Sequence, residues 1–197
     1  SGIESALIRF RGLHWGHSIM HDEILNFWFA ETSPRMWWKA DSAFDAAIAR
    51  RFGAVHSAAA RGELFEWRAS PRGRLAEIIV LDQFSRNLFR KSAKAFASDP
   101  MALVLAQEAV AGSHDQGLPG QQRAFLYMPF MHSESRVIHA HAEQLFASLG
   151  LDDSYKFELR HKAIIDRFGR YPHRNMVLGR ESTPEELEFL QQPGSRF

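Results

Sequence analysis

Across residues 24–190 apolar side chains return every three or four positions, and no stretch alternates apolar with polar residues between hairpin turns. A period of that kind places the apolar residues on one face of a helix, so the pattern predicts an all-α fold. Ile24, Phe27 and Trp28 form a first stripe, stopped by Ser33-Pro34. Asp41 is placed to cap a second helix with the stripe Phe44, Ala47, Ile48 and Phe52; Gly53 marks a break before residues 54–61, and Gly62 a stop. Ser70-Pro71 supplies a cap and a first-turn proline for a helix through Leu75, Ile78, Ile79 and Leu81, which is apolar nearly all round and therefore expected at the centre. Asp99-Pro100 repeats that start signal before Met101, Val104 and Leu105, and residues 113–120 form the most flexible-looking linker. Residues 124–128 read as a short helix broken by Pro129. Ser133 is positioned to cap the next helix, whose stripe is Ile138, His141, Ala142, Leu145, Phe146 and Leu149. Asp153 opens another with Phe157, His161, Ile164 and Ile165, and Thr183-Pro184-Glu185-Glu186 has the form of a capping box. The count is about seven or eight helices, and their short connections favour stacked antiparallel hairpins.

The chain has 197 residues, enough for one domain with a substantial core. Residues 20–197 are expected to form a single all-helical domain. Residues 1–19 read as an extension in which Ser1-Gly2 resembles a tag remnant, Met20 an alternative start, and Arg9 with Arg11 a faint targeting signal. Lysine plus arginine number 24 against 23 acidic residues, so no global charge draws the chain to nucleic acid or to an anionic membrane. The longest apolar runs, such as residues 78–81, fall far short of the roughly 20 residues that span a bilayer. With no cysteine, disulfide scaffolds, cysteine nucleophiles and thiolate metal sites are excluded together, which fits a soluble cytoplasmic protein.

Polar groups interrupt the stripes at particular places. Three blocks carry them: LDQFSRN (81–87), MPFMHSE (128–134) and RFGRYPHRN (167–175). On the central helix Asp82 and Arg86 stand four residues apart, with Gln83 and Asn87 on the adjacent row. Either Asp82 and Arg86 tie down a neighbouring loop, or the group lines a pocket floor. His132 and Glu134 follow Pro129 and form a pair suited either to proton transfer, as base and orienter, or to serve as two metal ligands. His161 sits on an apolar face, as a satisfied core histidine or as a ligand. Arg167, Arg170, His173, Arg174 and Asn175 crowd a helix end, where either Arg167, Arg170 and His173 cap its carbonyls or the cluster holds a phosphate or carboxylate. His14, His17 and His21 have helical metal-like spacing that Gly16 interrupts. No H-E-x-x-H, P-loop, G-x-G-x-x-G or G-x-S-x-G motif is present, so no metal and no particular cofactor is indicated.

ILNFWF (24–29), LDQFSRNLFR (81–90), YMPFMHSE (127–134), IIDRFGRYPHRN (164–175) and LGRESTPEE (178–186) together resemble the bacterial family catalogued as domain of unknown function 924, over nearly everything after Met20. The resemblance implies a fold similar to the tetratricopeptide-like α-α superhelix, and no activity. His139 and His141 stand where the family is expected to carry polar residues, commonly glutamine. The expected site gathers Asp82, Gln83, Arg86, Asn87, His132, Glu134, His161, Arg170, His173, Arg174 and Asn175 into one polar pocket for a small anionic ligand. In it Arg86, Arg170 and Arg174 hold the anion. A peptide- or protein-binding groove and a hydrolase of a small phosphorylated or acidic compound are the alternatives, and the sequence leaves the oligomeric state open.

Overall fold

The computed structural model describes residues 20–197; the expected extension, with His14 and His17, lies outside them. Among the described residues every regular element is helical. The α-helices are α1 (His21–Asn26), α2 (Ser42–Ala60), α3 (Pro71–Ile79), α4 (Ser85–Leu88), α5 (Asp99–Ala111), α6 (Gly120–His132), α7 (Arg136–Ser148), α8 (Asp152–Phe168) and α9 (Pro184–Phe189). A π-helical turn, Val80–Phe84, joins α3 to α4 without a break, so the described chain forms eight helical rods. A second π turn, Phe27–Glu31, extends α1.

The caps act where the sequence places them. Asp41 accepts from the Phe44 N–H at 2.9 Å, Ser70 from Gly73 at 3.0 Å, and Thr183 and Glu186 complete a reciprocal capping box. The α3 rod is central as expected, with Leu75, Ala76, Ile78, Ile79, Val80 and Leu81 all without exposure. It packs on α1, α5 and α6, and α6, α7 and α8 pack in chain order. Trp28, Phe52, Phe84 and Phe125 bind the first half together through ring contacts of 5.4 to 5.7 Å.

Several local expectations are corrected. Helix α2 runs through Gly53, whose absent side chain faces open space, so the residue costs helix propensity and nothing more. Helix α6 likewise runs through Pro129. Residues 124–131 are buried throughout, and that burial outweighs one missing hydrogen bond near the helix end. The next cap is Ser135 instead of Ser133, and α8 begins at Asp152 instead of Asp153. Val104 and His141 face solvent, while Ala102, Ala106 and His139 take the buried positions. The linker 113–120 is fastened: Asp115 is buried and accepts from the Tyr127 hydroxyl, and Leu118 joins the core.

Candidate functional site

The π turn delivers Asp82 and Gln83 to the place where the start of α5, the end of α6 and the turn Pro172–Arg174 meet. A widened turn of this kind shifts the side chains after it around the helix axis, a device frequent at functional sites. Asp82 is 1% exposed and receives three donors: His132 Nδ1 at 2.7 Å and Arg86 Nη1 at 3.3 Å on Oδ1, and Gln83 Nε2 at 2.8 Å on Oδ2. Arg86 also grips Asp99 with two bonds, 2.9 and 3.0 Å, and donates to the Asp82 carbonyl. Burial pushes the Asp82 carboxyl up, but His132, Arg86 and Gln83 together bring it down to about 2. Asp82 is therefore ionised and can only accept, so the His132 Nδ1 carries the proton. Burial, reinforced by the Arg86 cation, holds His132 below the ordinary histidine value against the opposing pull of Asp82. The ring is neutral at pH 7, and Nε2 keeps its lone pair.

Arg174 has a different status. It is 5% exposed, with Phe96 and Tyr171 rings 4.4 and 4.8 Å from its Cζ. Its Nη2 donates to the His132 carbonyl at 2.9 Å, whereas Nε has no hydrogen-bond partner among the described residues. Nη1 lies 3.7 Å from Asp99 and 3.8 Å from Glu134, beyond hydrogen-bond distance of either. Burial, then Arg86, pull its proton affinity below the usual guanidinium value, and Asp99 and Glu134 oppose them. The group stays charged.

An open cleft of about 340 Å³ lies over these groups. Its polar lining is Asp99, His132, Ser133, Glu134 and Arg174; Phe96, Pro100, Leu103, Pro129 and Leu178 are prominent in the rest. The chemistry on offer is a neutral imidazole oriented by a carboxylate, next to a cation with unused donors. Such a pair can take a proton from water or from a ligand while the arginine holds an anionic group.

A second polar network supports the cleft from behind. His139, wholly buried, contacts Glu158 through Nδ1 at 2.6 Å and the Ser133 carbonyl through Nε2 at 2.7 Å. A carbonyl only accepts, so Nε2 carries a proton, and the Nδ1 contact to Glu158, whose carboxyl burial raises, carries one more on either the ring or the carboxyl. The Tyr171 hydroxyl donates to the Met131 carbonyl at 2.5 Å and sits 3.0 Å from the same Nε2. Together these bonds fix residues 131–133, the segment that carries His132.

Of the eleven residues expected in one pocket, His132, Glu134 and Arg174 line the cleft, and Asp82, Gln83 and Arg86 stand directly behind it. The others serve different neighbours. Asn87 donates to Asp45, which Arg90 also holds. Arg170 and Asn175 bind Glu186, and Arg170 reaches the Glu181 carbonyl, so both fasten α9. His161 and His173 pack against Tyr171 and Phe197, and burial depresses each to about 3. Arg86 and Arg170 are committed to carboxylates, which leaves Arg174 as the guanidinium of the three with donors to spare. His132 takes Asp82 as its orienting carboxylate, because Glu134 is occupied by Arg180 at 2.9 and 3.0 Å and by the Tyr171 N–H. The sequence reading misses Asp99, Phe96, Arg180 and the His139–Glu158–Tyr171 network. Of these, only the odd placement of two histidines in α7 gives a signal in advance.

No three His, Asp or Glu side chains among the described residues are grouped to hold a metal ion, and no described helix is long and apolar enough to cross a membrane. No curated protein matches the chain. A solved structure of a protein of unknown function from Agrobacterium tumefaciens is 40% identical and superposes with a TM-score of 0.83, covering 87% of this chain and 96% of that one. The family model described as "Bacterial protein of unknown function (DUF924)" matches residues 24–194, and the chain belongs to that family.

Proposed function

We propose that the cleft binds a small anionic ligand through Arg174. The observation that carries this reading is the state of that guanidinium: buried, held between two rings, with Nε unpartnered and Nη1 short of a hydrogen bond to either flanking carboxylate. Leaving a buried charged donor unsatisfied costs about 1–3 kcal/mol or more. An oxyanion entering the cleft would accept a charge-assisted bond from Nη1. A volume of about 340 Å³ suits a small molecule better than a peptide.

The test is thermal unfolding of the protein with acetate, with inorganic phosphate, and with chloride at matched ionic strength. Ligand at about 100 times its Kd adds about 2.7 kcal/mol of stability. A rise in Tm beyond the chloride control, abolished in Arg174→Gln, is the expected result; no anion exceeding chloride refutes the reading.

A second reading, hydrolysis of a small acidic compound, is favoured by the Asp82–His132 pair. With Nδ1 held by Asp82, Nε2 is the base available to the cleft. Turnover lost in His132→Gln while anion binding persists would establish it.

A further inference from the structure

We infer that the anionic group is a carboxylate carried on an apolar body, so that the natural ligand belongs to the short and medium-chain monocarboxylic acids. The inference rests on the anion-binding reading above and narrows it in two respects.

Charge comes first. Three carboxylates, Asp82, Asp99 and Glu134, already face three guanidinium groups, Arg86, Arg174 and Arg180. His132 adds no positive charge, because its ring is neutral. What is unbalanced is hydrogen bonding, and at one residue: Arg86 and Arg180 each make paired bonds to a carboxylate, whereas Arg174 makes none. Its Nη1, short of a hydrogen bond to either flanking carboxylate, is the donor open to one oxygen of an entering carboxylate. A phosphate dianion would bring a second negative charge beside Asp99 and Glu134, each within 4 Å of that same nitrogen, with no further cation to meet it.

The walls come second. The Phe96 ring centre lies 4.4 Å from the Arg174 Cζ, and Pro100, Leu103 and Leu178 continue the apolar lining beyond it. An inorganic anion would leave that surface wet. A hydrocarbon chain attached to the bound carboxylate would cover it, and each buried methylene then tightens binding about fourfold.

The experiment is calorimetric titration of the full chain with acetate, butyrate, hexanoate and octanoate, beside inorganic phosphate and hexanol. The expected result is a Kd that falls about fourfold per methylene until the cleft is full. Phosphate should bind more weakly than butyrate, and hexanol at least tenfold more weakly than hexanoate. In Leu178→Ser, and independently in Leu103→Ser, the ratio of the hexanoate to the acetate constant should shrink several-fold. Anions that bind in an Arg174-dependent way with no dependence on chain length, or with phosphate preferred, overturn this inference and leave the anion reading intact. Hexanol binding as tightly as hexanoate also overturns it. Failure of every anion, with a circular dichroism spectrum showing the protein folded, removes both.

Discussion

The Asp82→Asn substitution probes the centre of the site. The wild-type carboxylate accepts from His132, Gln83 and Arg86 with two oxygens, whereas an asparagine amide offers one acceptor and turns an NH2 toward a donor. Breaking a buried ion pair from one side costs about 3–5 kcal/mol. Arg86 keeps both bonds to Asp99, which places the expected loss near the lower end, about 3 kcal/mol. The pH dependence supplies an independent check. Folding lowers the Asp82 pKa from 3.8 to about 2, and at about 1.4 kcal/mol per pKa unit this linkage amounts to about 2.5 kcal/mol. Because the folded value is depressed, that contribution is complete above about pH 5 and disappears as the pH falls through the folded value. The stability difference between wild type and Asp82→Asn should therefore narrow by about 1 kcal/mol between pH 7 and pH 3. Urea unfolding at both pH values, fitted with a common m-value, measures it. A loss below about 1 kcal/mol at pH 7, or a difference that does not change with pH, would refute the claim that Asp82 is ionised and paired.

Two further predictions concern glycine and histidine. A Cβ at Gly73 would lie 1.9 Å from the Trp67 carbonyl oxygen, whereas one at Gly53 would meet nothing within 4 Å. Gly73→Ala should destabilise by about 2 kcal/mol or more, and Gly53→Ala should stabilise by up to about 1 kcal/mol; equal melting temperatures for the two variants would contradict the packing described. His161 and His173 sit at about 3, so below the ordinary value of 6.5 the unfolded chain takes up protons that the folded one refuses. Stability should fall with acidification by about 1.4 kcal/mol per pH unit for each ring. His161→Phe should remove one ring's share of that slope between pH 6 and pH 4, and an unchanged slope would show that His161 is not buried neutral.

What the sequence makes legible depends on how far apart the cause and its effect lie in the chain. Helix starts at Asp41, Ser70 and Thr183 are set by bonds to residues three positions on, and a local rule finds them. Asp99 obeys the same rule on paper, but Arg86 takes its carboxylate, and the residue ends inside α5 as part of the site. In α7 the apolar stripe is read in the right phase, with Ile138, Ala142, Leu145, Phe146 and Leu149 buried or packed on the core, but of the two histidines it is His139 that faces the core and His141 the solvent. The three polar blocks do converge, since Asp82, His132 and Arg174 stand within one connected set of contacts. Which carboxylate orients His132 is invisible beforehand: Glu134 is two residues away, but Arg180, 46 positions distant, has already claimed it.

The arrangement around His132 answers two requirements that oppose each other. A base at neutral pH must be held in one orientation, which a carboxylate does, yet a carboxylate also raises the proton affinity of the ring and tends to leave it charged. Here Arg86 stands against the same Asp82 oxygen that binds the imidazole, and its positive charge lowers the proton affinity of the ring. Arg86 is in turn kept from neutralising Asp82 completely by its paired bonds to Asp99. Asp99 extends this set of contacts to Arg174, its other near neighbour, in the cleft lining. One carboxylate thus sits between the cation that tunes the histidine and the cation proposed to bind the anion. An anion bound at Arg174, as proposed, would compete with Asp99 for that guanidinium, and Asp99 is the carboxylate that also holds Arg86 beside Asp82.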